Sequence, residues 1–138
     1  RLDSICSIRV KEAEDRDAIE PGLALIARSG IHMKVRKGKR SVRLDEEPWD
    51  LIHRPSVDVL FESVAEVFGD RSLGVLLTGM GSDGARGMKR IKERGGMTLA
   101  QDEFSSVIFG MPKVAISSGV VDKVVPLTDI AQEIMKNG

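Results

Sequence analysis

Asp83 is the one acid in a glycine-rich stretch, Gly79-Met80-Gly81-Ser82-Asp83-Gly84-Ala85-Arg86-Gly87, that follows directly on the apolar run Leu73-Gly74-Val75-Leu76-Leu77-Thr78. A carboxylate on a tight loop has three uses. It can accept a hydrogen bond from a histidine, hold the ring in one tautomer and stabilise the imidazolium formed when a nucleophile is deprotonated. It can cap its own helix by satisfying orphan amides. Or it can neighbour a ligand held by the backbone: Gly79-x-Gly81-x-x-Gly84 formally matches the dinucleotide fingerprint, with Asp102 spaced to take a ribose hydroxyl. The last is the poorest chemistry, because Asp83 would set an uncompensated carboxylate beside a pyrophosphate that is bound by bare N–H groups. Between capping and catalysis the local pattern does not choose.

Little else in the chain offers reactive groups. Cys6 is the single cysteine, which excludes an internal disulfide and fits a reducing compartment. With His32 and His53 the only histidines, a zinc site is short of ligands, and no metal is expected. No Gly-x-Ser-x-Gly nucleophile elbow occurs.

The elements that must position Asp83 follow from periodicity. Leu73–Thr78 is almost wholly apolar and bounded by glycines, as in a strand buried on both faces of a parallel sheet. Ala85, Met88 and Ile91 recur at helical spacing up to about Arg94, where Gly95-Gly96 stops the helix. Upstream, Ser56 is a natural N-cap with Asp58 in the first turn. Val57, Leu60, Phe61, Val64 and Phe68 then share one face as far as Gly69. Met97–Ala100 and Val121–Val125 read as further strands, Pro112–Ser118 as a short helix, and Thr128 as the cap of a terminal helix. Near the N-terminus Ser7–Ala13 alternates like a half-buried strand. Leu23–Ala27, Ile31–Val35 and Ser41–Leu44 suggest an antiparallel meander. The expected fold is α/β: a doubly wound, mostly parallel sheet with helices on both faces and a small antiparallel β meander near the N-terminus.

At 138 residues, with no repeat or linker, the chain (1–138) is the size of a single domain. Its 21 basic and 21 acidic residues balance, which gives no footprint for nucleic acid or a membrane surface. No run is long enough to span a bilayer and no secretory signal pattern is present. The chain opens on Arg1 instead of Met, so a piece of a longer protein is expected.

Four blocks then point to a family. Leu76-Leu77-Thr78-Gly79-Met80-Gly81-Ser82-Asp83-Gly84 resembles the signature loop of the chemotaxis protein-glutamate methylesterases, the CheB family. His53-Arg54-Pro55-Ser56-Val57-Asp58-Val59-Leu60-Phe61 resembles that family's entry into its long helix. Ala100-Gln101-Asp102-Glu103 with Ser105-Ser106-Val107 and Phe109-Gly110-Met111-Pro112-Lys113 resembles a third family stretch. Val10–Asp15 and Pro21-Gly22 resemble its opening, and the blocks occur in family order over almost the whole chain. One departure is Arg28-Ser29, where the family usually has Pro-Gly.

The resemblance implies a catalytic domain that hydrolyses methyl esters of receptor glutamates, in many members also deamidating glutamines, by a Ser-His-Asp mechanism without a cofactor. It implies that Asp83 is the triad aspartate and that the Met80 N–H contributes to the oxyanion hole. Arg54, Ser105 and Met111 are expected to wall the substrate groove, while His32 is expected to be structural or groove-lining and His53 solvated or capping. The family's serine and histidine precede the segment matched by Ser7–Glu14. Residues 1–138 therefore hold only Asp83 of the triad and are expected to be inactive alone, with the first strand, the nucleophile turn and a regulatory receiver domain upstream in the parent. Implied partners are the cytoplasmic helices of methyl-accepting chemotaxis receptors, the receiver domain and its histidine kinase, in the cytoplasm, with no nucleic acid and no membrane insertion. The alternatives are a non-catalytic receptor-binding relic and, on glycine spacing alone, a dinucleotide-binding domain.

Overall fold

In chain order, the computed structural model, which describes residues 1–137, comprises α1 (Leu2–Ile5), β1 (Arg9–Glu12), β2 (Leu23–Ile26), β3 (His32–Val35), β4 (Val42–Asp45), α2 (Val57–Phe68), β5 (Leu73–Leu76), α3 (Ala85–Glu93), β6 (Met97–Gln101), α4 (Met111–Ser117), β7 (Lys123–Val125) and α5 (Leu127–Asn137). A single 3₁₀ turn, Gly69–Arg71, joins α2 to β5.

β5, β6 and β7 form a parallel sheet in that order, Leu73 opposite Met97 and Leu99 opposite Lys123. Side chains alternate across a strand, and each face of this sheet finds a helix. Leu76 joins Met88, Ala115 and Val120 on the side of α3 and α4, while Leu73, Val75 and Leu99 pack with Val125 and Ile130 of α5 on the other. Both faces are covered, which is the doubly wound arrangement. α3 lies very close over β5, since a Cβ at Gly74 would fall 2.8 Å from Ile91 Cδ1. Met88 and Ile91 are fully buried there, worth about 2 kcal/mol each.

α2 begins as its sequence predicts. Ser56 is extended and its hydroxyl accepts from the Val59 amide at 3.4 Å, and at the far end Gly69 adopts a positive φ and donates to the Ala65 carbonyl. The helix bridges two cores, with Val57 and Phe61 against the α3 cluster and Leu60 against a second cluster built on Ala13, Met33 and Val42.

Two expectations need correction. The three N-terminal runs do not make a meander. β3 and β4 pair antiparallel, His32 opposite Asp45, but β2 pairs in parallel with β1, Arg9 opposite Leu23. The Arg28-Ser29-Gly30 connection is tied elsewhere, the Gly30 amide donating to the Arg54 carbonyl at 3.1 Å, so it does not fold β2 back on β3. Thr128 also lies inside the first turn of α5, which starts one residue earlier at Leu127, instead of capping it.

Candidate active site

The glycine loop begins where β5 loses its strand pairing, and its path is set by neighbours across the carboxyl end of the sheet. The fully buried Gln101, last residue of β6, accepts from the Thr78 amide at 2.8 Å through Oε1 and donates through Nε2 to the Ser105 carbonyl. The Thr78 hydroxyl donates to the Ile108 carbonyl and accepts the Ile108 amide, and the Gly79 amide also reaches that carbonyl. The Gly79 carbonyl in turn accepts from the Gly110 and Met111 amides. Loop 78–84 and loop 102–111 are therefore laced together, with Met111 Sδ beneath Gly79, where a Cβ would approach it to 2.6 Å.

Asp83 is placed by the far side of this loop, and it does not cap its own helix. Its Oδ1 accepts from the Ser56 hydroxyl at 2.9 Å and from the Asp58 amide at 3.0 Å, and its Oδ2 accepts from the Val57 amide at 2.8 Å. It caps α2, across the groove. Burial pushes the carboxyl up, but those three donors outweigh it and hold Asp83 below the usual carboxylate value, hence ionised. A carboxylate has about four acceptor positions, so three donors leave one open, on Oδ2.

Ser56 is itself held from behind by His32, which is fully buried. The ring accepts the Ser56 amide at Nδ1, 3.2 Å, and its Nε2 lies 2.9 Å from the Pro48 carbonyl. That pairing assigns the Nε2-protonated neutral tautomer. His32 is thus a structural strut behind the site.

Asp58 returns the favour to α3. Its Oδ1 accepts from the Gly84 amide at 2.9 Å and the Gly87 amide at 2.7 Å. Burial raises the Asp58 carboxyl above its ordinary value, and the Asp83 charge adds to that, only partly offset by the Gly87 and Gly84 amides. The sequence placed Asp58 merely in the first turn of α2. Its partners lie 26 and 29 residues away, and no local signal announces them.

These contacts remove the dinucleotide reading. The amides that would bind a pyrophosphate at Gly84 and Gly87 are occupied by one carboxylate, and a second stands beside them.

Asp83 opens on a cleft of about 370 Å³, also lined by Asp50, Ile52, His53, Asp58, Ser82 and Arg86. His53 is exposed on its rim near Gly81. Met80 is 75% exposed at the loop tip, and its amide has no acceptor among the described residues. The remaining sequence-predicted groove residues lie outside this lining. Arg54 donates to the Trp49 carbonyl at 3.2 Å, and Met111 is half-buried under Gly79. Ser105 is consumed in a turn: its hydroxyl meets Asp102 Oδ1 at 2.5 Å and accepts from the Leu127 amide at 2.9 Å.

Residues 1–134 match the family model described as CheB methylesterase. The chain is 50% identical over 137 residues to protein-glutamate methylesterase/protein-glutamine glutaminase 3 of Shewanella oneidensis, covering 98% of this chain and 38% of that protein. To the protein-glutamate methylesterase/protein-glutamine glutaminase of group 3 operon of Bradyrhizobium diazoefficiens it is 54% identical, with the same shares covered. The chain thus spans 38% of the length of these relatives. The crystal structure of the Thermotoga maritima CheB methylesterase catalytic domain superposes with a TM-score of 0.91 at 37% identity, covering 98% of this chain and 72% of that one. In sequence and in fold, the chain belongs to the CheB methylesterase family.

Proposed function

We propose that the whole protein is a protein-glutamate methylesterase, with glutaminase activity as a second outcome of the same acyl chemistry, and that this chain is the part of its catalytic domain that contributes Asp83 to a Ser-His-Asp triad. One observation carries the reading. Asp83 lines the cleft and is clamped by three donors that leave its carboxylate a single acceptor position, on Oδ2. A histidine Nδ1–H fits that position. Accepting it would hold the imidazole so that its other nitrogen takes the proton of a serine hydroxyl, and the Asp83 charge would stabilise the resulting imidazolium.

The serine oxygen would then attack the side-chain ester carbonyl of a methylated glutamate, methanol would leave, and water would release the acid. The free Met80 amide, on a loop laced to its neighbour, suits the developing oxyanion. Serine and histidine come from outside residues 1–138, and the chain by itself is expected to show only background ester hydrolysis. Methylated helical segments of chemotaxis receptors are the proposed substrate, and phosphorylation of a receiver domain by its histidine kinase is the proposed control.

The test is methanol release from methylated receptor by the intact protein and by Asp83→Asn. The asparagine presents the wrong hydrogen-bonding pattern to the histidine, so kcat should fall by about three to four orders of magnitude. An unchanged kcat would remove Asp83 from the mechanism, and absence of activity in the intact wild-type protein would favour a receptor-binding relic.

A further inference from the structure

Helix α3 has no cap of its own making. Its N-cap is Gly84 at φ 106°, no side chain caps it locally, and its first turn contains no acid. The amides of Gly84 and Gly87 are nonetheless both satisfied, by Asp58 Oδ1 at 2.9 and 2.7 Å. Both glycines are buried, so water is not at hand to replace that oxygen. The helices are close enough for a direct reach: a Cβ on Gly87 would lie 3.2 Å from Asp58 Cα.

Asp58 also touches Asp83 from the other side. Its own backbone N–H donates to Asp83 Oδ1 at 3.0 Å. One residue therefore brackets the turn, holding the carboxylate of residue 83 with its amide and the amide of residue 84 with its carboxylate. Asp58 Oδ2 has no donor among the described residues, and Asp58 is one of the residues lining the cleft.

We propose that Asp58 is a positioning residue for the esterase reaction, setting the orientation of Asp83 through its own amide and through the Gly84 and Gly87 amides. The proposal rests on the reading of Asp83 as the triad aspartate. It differs from a mere contribution to stability, because a turn displaced by about an ångström costs on the order of 100-fold in rate while leaving substrate binding largely intact.

In the intact protein, Asp58→Ala should lower kcat for methanol release roughly 10- to 100-fold with KM changed less than about threefold. Asp58→Asn keeps an oxygen in the Oδ1 position and should recover kcat to within about fivefold of wild type. Amide exchange at Gly84 and Gly87 should accelerate at least about tenfold in the alanine variant and stay near wild type in the asparagine variant. In an Asp83→Asn background, Asp58→Ala should cost little further rate, since the two act as a unit. A wild-type kcat for Asp58→Ala, or a full additive loss in the double variant, overturns the positioning role. If Asp58→Ala fails to fold, Asp58→Glu carries the test: it moves the acceptor by one methylene, should lose about tenfold in kcat, and overturns the proposal if it does not. If instead Asp83→Asn retains wild-type kcat, the underlying triad reading fails. Exchange at Gly84 and Gly87 then still decides whether Asp58 holds the turn.

Discussion

Ser56 shows how few atoms organise the site. Its amide donates to His32 Nδ1, its hydroxyl donates to Asp83 and the same oxygen accepts the Val59 amide. Ser56→Ala removes a helix cap and one of three donors to the Asp83 carboxylate. The loss expected is about 1–2 kcal/mol of unfolding free energy, read from a urea midpoint shift. The same variant should move the Asp83 carboxyl upward, toward the ordinary value, because a donor that favours the ionised form is gone. A two-dimensional carbon-detected titration of Asp83 checks that sign.

At the scale of elements, α2 and α3 are tied by exchange of caps, Asp83 to α2 and Asp58 to α3, and on the outside by ion pairs from Arg86 to Glu62 and from Arg90 to Glu66. Gly87 packs directly against α2 in this contact. Alanine has the better intrinsic helix preference by about 1 kcal/mol, yet a Cβ at position 87 would sit 2.6 Å from Phe61 Cβ. Gly87→Ala is therefore expected to destabilise by about 1–3 kcal/mol, because the helices must part, and thermal unfolding would register it. These elements were legible before any coordinates, since α2, β5 and α3 carry their own periodicity, a Ser cap and glycine stops. The pairing of β1 with β2 was not: two four-residue strands joined by a ten-residue connection carry no local sign of partner or direction. Within the site, Asp83 stood out because an acid among glycines is chemically odd. Asp58 did not, because an acid in a first helical turn is ordinary until its partners in another helix are known.

For the whole molecule, charge balance is zero but the acids are unevenly perturbed. A backbone donor at Glu14 and Lys11 lower Asp17, and Arg90 with Arg94 lowers Glu66. Lys123 lowers Glu133, and for Asp45 and Asp122 burial is outweighed by Lys34 and Lys92 with nearby amides. Asp83 behaves likewise, while Asp58 is raised. A depressed carboxyl adds stability above its unfolded value and loses it as pH falls through its folded value; a raised one does the reverse. Six against one, the balance predicts that the urea midpoint declines as pH drops below about 4, and a midpoint that rises in acid would contradict it. No helix among the described residues is long and apolar enough to cross a membrane.

β1 and β5 each end a ladder, with one edge facing no other strand among the described residues. On β1 only the Val10 amide has a substitute partner, the Asp3 carboxylate at 2.8 Å, and apolar Leu2, Ile5 and Ile8 lie exposed beside it. Such edges template association with any extended segment. A preparation of these residues by themselves is expected to be a poor sample at high concentration, drifting toward oligomers through strand addition. Charged substitutions at Ile5 and Ile8 would be the first remedy for anyone wishing to crystallise or titrate it.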